Sequence, residues 1–201
     1  MTLRCFVPLL LMLPLPVDAQ TIPRAALQYQ RPLIANARAV WGLDAPIAVM
    51  AAQVHQESSW RADARSSFAS GLTQFTPSTA DWISQKFPED LGANQPLNPA
   101  WALRALARYD KYLYDRQGTI PLDCDRWAFT LSGYNGGEGW VNRDKRLTKA
   151  NGADPTRWWG HVEHFSPRAR WAFTENRDYP KRILLQRQPS YRVWGPGVEC
   201  L

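Results

Sequence analysis

Glu57 is the carboxylate whose sequence surroundings best suit proton-transfer chemistry. It ends a helical pattern whose apolar stripe consists of Ile47, Met50, Ala51 and Val54. An acid beside such a stripe is desolvated, so its pKa rises and it stays protonated near neutral pH. A protonated carboxylic acid facing a glycosidic oxygen is what acid-catalysed cleavage of a sugar chain requires. The stripe by itself leaves open the ordinary alternative of a solvated glutamate at a helix end.

Short polar and glycine-containing motifs surround and follow this acid along the chain. They are Gln56-Glu57-Ser58-Ser59-Trp60, Ser66, Gly71-Leu72-Thr73-Gln74, Pro77 with Thr79-Ala80, Gly133-Tyr134-Asn135-Gly136-Gly137 and Glu175-Asn176-Arg177-Asp178-Tyr179. Their types and order resemble the catalytic domain of the soluble lytic transglycosylase (SLT) family, which is related to goose-type lysozyme. The resemblance covers about Ile34 to Leu185, nearly the whole chain after its first segment.

The resemblance implies a mainly α-helical fold, a compact lysozyme-like domain that cleaves peptidoglycan. It makes Glu57 the single acid/base. A short β-hairpin near the active site, in the segment from Phe68 to Phe75, is compatible with this fold class. The helical patterns described below favour the same class independently.

Six further polar positions are assigned to substrate binding by the same resemblance. In chain order they are Ser66, Gln74, Tyr134, Asn135, Glu175 and Tyr179. The serine would position the substrate's N-acetyl group or the acid. The next three would line the sugar groove, and the last two would support its floor.

The chain departs from the family pattern close to these motifs. Thr73 stands where the family usually has methionine, Gly133 and Gly136 replace alanines, and Asn176 replaces a threonine. The segment 138–174 is long for the link between the last two motifs. Its tryptophans are Trp140, Trp158, Trp159 and Trp171. None of these departures involves Glu57, so they concern the groove contacts more than the reaction.

The reaction that fits a single acid is a lytic transglycosylation. A two-carboxylate glycosidase needs a second acid, and the nearest candidates, Asp63, Asp81 and Asp90, lie in no recognisable motif. Glu57 would protonate the oxygen between MurNAc and GlcNAc, and the substrate's N-acetyl oxygen would stabilise the cationic sugar. The acid, now a base, would take the proton of the C6 hydroxyl, which closes a 1,6-anhydro ring. Hydrolysis by a lysozyme-type muramidase is the alternative within the enzymes.

Composition bears on the alternatives outside the enzymes. The formal net charge of +6 suits a polyanionic partner, either cell-wall glycan or nucleic acid. Lys and Arg are spread along the chain rather than clustered, which disfavours nucleic acid. A weakly active wall-binding component of a secretion, conjugation or phage apparatus remains an alternative, although the presence of Glu57 with all the groove residues favours an enzyme. We expect no cofactor and no metal site, because the histidines are scattered and no Cys-x-x-Cys motif is present.

Residues 1–19 have the pattern of an export signal. Arg4 precedes an apolar run from Phe6 to Val17, and small residues follow at a cleavage position after Ala19. The run is too short for a membrane-spanning helix. A buried N-terminal core strand is the alternative to a signal peptide. The pattern predicts an exported protein, either periplasmic or secreted.

Removal of this segment would leave two cysteines, Cys124 and Cys200, because Cys5 lies within it. An even pair in an exported chain predicts a disulfide that ties the end of the sequence to the middle of the domain. Two unrelated buried thiols are the alternative.

Helical spacing and end signals divide the remaining chain into one domain, residues 20–188, and a loop-like tail, residues 189–201. The predicted helices are Leu33 to Trp41 ended by Gly42, Asp44 to Glu57 capped by Asp44, a short helix from Thr76 and Pro77, a long one from Asn98 and Pro99 through Leu113, Asp123 to Leu131, and Asp178 to Gln188. The stretch from Gly136 to Ser166 is predicted to be irregular.

Overall fold

A computed structural model describes residues 21–200, so the predicted signal segment lies outside the described residues. The α-helices are α1 (Gln30–Trp41), α2 (Ile47–Ser58), α3 (Pro77–Lys86), α4 (Pro88–Leu91), α5 (Pro99–Asp115), α6 (Asp123–Gly136), α7 (Glu138–Ala150), α8 (Arg170–Lys181) and α9 (Gln188–Tyr191). Short 3₁₀ turns cover Arg24–Tyr29 and Val162–His164, and a π-helical segment, Arg182–Arg187, joins α8 to α9. The mainly α prediction is confirmed.

The expected hairpin is reduced to isolated bridges. Ser70 pairs singly with Arg65 and with Phe75, both antiparallel, and these bridges extend into no strand within residues 21–200. The segment is therefore an irregular loop beside α2 and α3. No helix in this part of the chain is long and apolar enough to cross a bilayer.

Three predicted helix ends are confirmed by their local chemistry. Gly42 ends α1 with a φ of 81°, a conformation that costs glycine little. The Thr76 side chain accepts a hydrogen bond from the Thr79 amide at the start of α3. Asn98 does the same for the first amides of α5.

The predicted cap of α2 is wrong. Pro46, not Asp44, precedes the helix, and no side chain caps it. The Ala48 amide instead donates to the backbone oxygen of Pro196, 2.8 Å away. A distant part of the chain thus satisfies a donor that a local side chain was expected to satisfy.

The prediction of an irregular stretch from Gly136 to Ser166 is also wrong in part, because α7 occupies its first half. The buried face of α7 consists of Val141, Asp144 and Thr148. Because two of these three residues are polar, the sequence shows no periodic apolar pattern there, and the helix was not predicted. Neighbouring helices are longer than predicted: α6 continues to Gly136, and α8 begins at Arg170.

Residues 189–200 pack against α2 rather than forming only a loop-like tail. Tyr191, Trp194 and Val198 are buried. The Trp60 indole Nε1 donates to the Tyr191 hydroxyl at 2.6 Å, and a Cys124–Cys200 disulfide joins this segment to α6, as predicted. Every residue of α2 from Ile47 to Val54 is consequently buried.

Candidate active site

Glu57 lies in the last turn of α2, where the chain leaves the core. The helix ends at Ser58, and the next two residues, Ser59 and Trp60, both have positive φ, at 50° and 65°. Non-glycine residues rarely adopt this conformation. The buried Trp60 side chain, held by its hydrogen bond to Tyr191, fixes the sharp turn. The carboxylic acid is thereby presented at a defined position at the edge of the core.

The surroundings of Glu57 keep its carboxyl protonated. Burial is the largest cause and raises the pKa of Glu57 to about 8; a hydrogen bond from Tyr179 lowers it, and the charge of Glu175 raises it. The Tyr179 hydroxyl donates to Glu57 Oε1. At neutral pH the group is therefore mainly an acid with a proton to give, as the apolar stripe of α2 predicted.

The loop between α2 and α3 carries Ser66 and Gln74. The Gln74 amide donates to the backbone oxygens of Gly71 (2.9 Å) and Ala64 (3.2 Å). Ser66 Oγ accepts a hydrogen bond from the Ala69 amide at 3.0 Å. Both predicted binding side chains thus also brace the loop that presents them.

Gly71 fixes the course of this loop. Its φ is 80°, and an added Cβ would lie 1.9 Å from the backbone oxygen of Pro96. No other residue fits so close to a backbone atom, which gives a physical reason for the glycine of the Gly71-Leu72-Thr73-Gln74 motif.

The end of α6 supplies Tyr134 and Asn135. The Tyr134 hydroxyl donates to the Thr73 backbone oxygen at 2.7 Å, and its ring stacks on Tyr179 at 6.4 Å between centroids. Asn135 Oδ1 accepts a hydrogen bond from Asn176 Nδ2 at 2.9 Å, so the oxygen of the Asn135 amide group faces α8. The asparagine that replaces the family's threonine therefore orients a groove residue.

Three adjoining lobes form the groove around this acid. The loop lobe, about 320 Å³, is lined by Glu57, Ser66, Gln74, Tyr134, Asn135 and Glu175. The arginine lobe, about 840 Å³, is lined by Glu57, Arg170, Trp171, Glu175, Tyr179 and Arg182. The tryptophan lobe, about 400 Å³, is lined by Asn135, Gly136, Trp140, Arg168, Trp171 and Glu175.

The lobes bring together every predicted site residue. Six of them share the loop lobe, and Tyr179 faces the arginine lobe beside Glu57. Glu57 lines both of these lobes and so lies at their junction. Glu175 is exposed within the groove rather than part of a buried floor, whereas Tyr179 is buried.

The candidate second acids lie elsewhere. Asp63, Asp81 and Asp90 line none of the three lobes. Asp90 pairs with arginines of α5, and Asp81 accepts a hydrogen bond from Asn94 at 2.6 Å. The carboxylate that shares the groove with Glu57 in both adjoining lobes is Glu175.

One buried acid near the site was not predicted. Asp110 of α5 is fully buried and accepts a hydrogen bond from Gln53 Nε2 at 3.3 Å, one helical turn before Glu57. Burial raises the pKa of Asp110 well above its usual value, and the charge of Glu57 adds to this. In the sequence Asp110 only interrupts an apolar stripe, so no local signal marked it.

Three residues that line the arginine lobe were not among the predicted site residues either. Arg170 and Trp171 lie in the first turn of α8, which was not predicted, and Arg182 begins the π-helical segment that follows α8. Trp171 is one of the tryptophans of the long segment 138–174, and 74% of its surface is exposed. An exposed indole in a groove is the usual platform for an apolar sugar face.

Comparison with known proteins identifies relatives that match more than half of this chain. The membrane-bound lytic murein transglycosylase F of Marinobacter nauticus is 33% identical over 120 residues, which cover 59% of this chain and 22% of the relative. A second such protein, from Alkalilimnicola ehrlichii, is 34% identical over 119 residues, 57% of this chain and 24% of the relative. The chain thus spans less than a quarter of the length of these curated relatives.

Solved structures show the same helical fold. The 70-kDa soluble lytic transglycosylase of Escherichia coli matches 80% of this chain with a TM-score of 0.59 and 25% identity, over 24% of its own length. The complex of the 70-kDa soluble lytic transglycosylase with bulgecin A matches 88% of this chain with a TM-score of 0.60 and 24% identity, over 26% of its own length.

A family model agrees with these similarities. The model is the transglycosylase SLT domain, and it matches residues 33–156, more than half of the chain. The chain belongs to the transglycosylase SLT domain family.

Proposed function

We propose that this domain is a peptidoglycan lytic transglycosylase that cleaves the β-1,4 bond between MurNAc and GlcNAc with Glu57 as its single acid/base. The observation that carries the proposal is the place of Glu57: a protonated carboxylic acid where two lobes of one groove meet. A glycan strand that crosses this junction puts a glycosidic bond beside the acid. Family membership supports the same reaction.

The first step needs a proton on the bridging oxygen. Glu57 holds that proton at neutral pH because burial raises its pKa to about 8. As the bond breaks, the proton moves to the leaving GlcNAc oxygen and Glu57 becomes a carboxylate. The Tyr179 hydroxyl, which donates to Oε1, stabilises this anion.

The second step returns the proton to Glu57. The substrate's N-acetyl oxygen stabilises the cationic carbon while the C6 hydroxyl of MurNAc attacks it. Glu57 accepts the hydroxyl proton, so a C–O bond of the 1,6-anhydro ring replaces the glycosidic C–O bond and no water is consumed. The second carboxylate, which activates the attacking water or acts as the nucleophile in two-acid hydrolases, is not required.

The remaining site residues are proposed to hold the strand. Ser66, Gln74, Tyr134, Asn135 and Glu175 line the loop lobe and would contact the sugar rings, and Ser66 would meet the N-acetyl group. Tyr179 acts through Glu57. In this proposal residues 20–188 form the catalytic domain and residues 189–200 brace its central helix.

The setting is part of the proposal. A disulfide between Cys124 and Cys200 suits an oxidising compartment, and with the signal pattern of residues 1–19 it supports an exported, periplasmic or secreted enzyme. Local wall opening for an envelope-spanning secretion or conjugation machinery is a role that such an enzyme would fill.

Digestion of purified wall in heavy-oxygen water tests the reaction. The expected products end in 1,6-anhydro-MurNAc, carry no heavy oxygen at the new ends and lack reducing termini. A lysozyme digest run in parallel should take up the label, and the Glu57→Gln protein should release products about 10³-fold more slowly. Labelled, reducible MurNAc ends from this protein would show hydrolysis and replace the proposal with a muramidase.

A further inference from the structure

Two side chains on either side of Glu57 in the sequence meet at one hydroxyl group. His55 lies in α2 just before the acid, and Trp60 lies just after the helix has ended. The Tyr191 hydroxyl of α9 is 2.6 Å from Trp60 Nε1 and 3.0 Å from His55 Nδ1. The stretch of chain that carries the acid is therefore tied at both ends to the same oxygen atom.

The chemistry of these groups sets the direction of the two hydrogen bonds. An indole N–H only donates, so the Tyr191 oxygen accepts from Trp60. The single hydroxyl proton of Tyr191 is then donated to His55 Nδ1, which accepts it only when this nitrogen carries no proton. The directed bonds from Trp60 to Tyr191 and from Tyr191 to His55, here called the turn relay, thus require a neutral imidazole with its proton on Nε2.

Burial makes the turn relay sensitive to the loss of any member. Trp60 and Tyr191 are each 1% exposed, so water does not readily replace either partner. Trp194 packs on both rings, with centroids 5.4 Å from Trp60 and 5.0 Å from Tyr191. Removal of one partner leaves a buried polar group unsatisfied, which costs more than the net gain of an ordinary hydrogen bond.

We propose that His55 is a positioning residue for Glu57, and that the turn relay holds the acid at the cleavage point only while His55 is neutral. The inference rests on the proposed function, to which it adds a residue that lines none of the three lobes of the groove. His55 therefore acts through the backbone of α2 and its exit turn rather than through contact with the glycan strand.

The exit turn is the part of the backbone that needs such support. Ser59 and Trp60 both have positive φ, a conformation that persists only where surrounding contacts maintain it. The His55 backbone oxygen accepts from the Ser59 amide at 3.0 Å, and its side chain completes the turn relay. One residue thus supports the turn through its backbone and through its imidazole.

The position of Glu57 bears directly on the rate. A general acid must lie within hydrogen-bond reach of the oxygen that it protonates. A displacement of about 1 Å can lower the rate about 100-fold, even when its cause lies away from the reacting atoms. Because His55 affects the acid and not the strand, its loss should lower kcat and leave KM nearly unchanged.

The surroundings of His55 keep the turn relay complete at neutral pH. Burial is the largest cause that lowers the pKa of His55, and the charge of Arg187 lowers it further. Burial raises the pKa of Tyr191 to about 12, so this hydroxyl keeps its proton, and Glu57, on the same helix as His55, keeps its own below about pH 8. Since the neutral form of His55 is the favoured one, the relay breaks only as the pH falls through its lowered pKa.

The test compares two substitutions at position 55. In His55→Asn the amide oxygen is bonded to Cγ, as Nδ1 is in histidine, and supplies an acceptor that does not titrate. In His55→Leu a side chain of similar bulk supplies no acceptor. His164→Leu, at an exposed histidine that lines none of the three lobes, is the matched control.

The release of cleavage products from purified glycan strands gives kcat and KM for each protein over a range of pH. At neutral pH, His55→Leu should have a kcat about tenfold below wild type with a KM close to the wild-type value. His55→Asn and His164→Leu should keep nearly the wild-type kcat. Thermal unfolding of each protein shows that the fold is retained under the conditions of the assay.

The pH dependence separates positioning from a purely structural role. As the pH falls below 6.5, the ordinary pKa of a histidine, the ratio of the wild-type kcat to that of His55→Asn should fall about tenfold, because only the wild type loses its acceptor. Other groups that titrate in the groove act on both proteins and cancel in this ratio. If His55→Leu does not fold, this ratio decides, since it compares two proteins that both have the acceptor at neutral pH.

Three outcomes would overturn the inference: equal kcat in folded His55→Leu and His55→Asn at neutral pH, a loss in His55→Leu confined to KM, or a ratio of wild type to His55→Asn that does not change with pH. In each case the wild-type protein still cleaves the strands and the proposed function stands. Failure of the wild-type protein to cleave them would overturn the proposed function, and with it the inference.

Discussion

Two regions of this domain bury carboxyl groups in opposite ways. Between α6, α7 and α8, Asp144 accepts a hydrogen bond from Arg177 at 2.9 Å and pairs with Arg168, and Asp125 accepts from Arg157 at 3.0 Å. Against α2, the hydrogen-bond donors are neutral: Tyr179 donates to Glu57, and Gln53 donates to Asp110.

The difference distinguishes buried acids that stabilise the fold from buried acids that could take part in proton transfer. A carboxylate that is fully compensated by arginines stays ionised and ties helices together. A carboxyl group buried without a cation keeps its proton, because burial penalises the charge. Such uncompensated acids concentrate at functional sites. The domain thus pairs the buried Asp144 and Asp125 with arginines, and buries Glu57 and Asp110 against α2 with neutral hydrogen-bond donors.

The largest effect is expected from Glu57→Gln. The amide has nearly the same shape but cannot donate and recover a proton, so wall clearing should fall about 10³-fold. The unfolding temperature should not fall, since the variant replaces a protonated acid by a neutral group. Turbidity of purified walls and thermal unfolding measure the two quantities. Clearing at near wild-type rate would remove Glu57 from the mechanism.

The arginine-compensated region should respond in stability instead. Asp144→Ala leaves the side chains of Arg177 and Arg168 buried without their carboxylate, which should cost about 3 kcal/mol in free energy of unfolding. Urea denaturation measures the loss. Asp115→Ala breaks an exposed pair with Lys111 and is the control, with an expected change of at most about 1 kcal/mol. An equal, small change in both variants would contradict the distinction between the two regions.

A smaller effect is expected from Tyr179→Phe, with a characteristic pH dependence. Wild-type activity should fall as the pH rises through about 8, because Glu57 then loses its proton. The tyrosine hydrogen bond lowers the pKa of Glu57, so its removal should raise that pKa and move the alkaline decline to higher pH. The maximal rate should fall about tenfold as the Glu57 anion loses a donor. An unmoved alkaline decline would contradict the role given to Tyr179.

The smallest effect is expected from Asp110→Asn. The folded-state pKa of Asp110 is raised, so its contribution to stability is fully present at acidic pH and is lost as the pH rises. Asparagine removes this dependence, and its amide could donate to Gln53 Oε1, which lacks a partner in the described structure. The variant should therefore gain stability relative to the wild type as the pH rises above 3.8, the ordinary value of this carboxyl group, in urea denaturation. A difference that stays constant as the pH rises would show that Asp110 does not titrate as expected.

The sequence predicted those parts of the fold that local chemistry determines. Thr76, Asn98 and Gly42 marked helix ends that the structure confirms, because a cap or a positive φ acts within a few residues. Helix α7 was missed because its buried Asp144 is satisfied by Arg177, far along the chain. Long-range pairing of this kind leaves no periodic signal in the sequence.

The residues of the candidate site likewise fall into a group that the sequence predicted and a group that it did not. Family motifs marked Glu57 and the residues of the loop lobe, which the structure brings together. Asp110 and the wall around Trp171 were not marked, since an isolated polar residue on an apolar stripe and a lone exposed indole each have ordinary explanations. Their significance depends on neighbours that only the fold supplies.

The packing of residues 188–200 on α2 has a consequence for the timing of activity. In the first turn of the helix that carries Glu57, the Ala48 amide donates a hydrogen bond to the Pro196 backbone oxygen. Gly195 also lies close to this helix, because a Cβ added to it would be 2.7 Å from the Ile47 side chain. These contacts form only after nearly all of the described residues have been synthesised. A nascent or prematurely ended chain would lack the backing of its catalytic helix. We therefore expect the activity proposed for this domain to arise only after these contacts have formed.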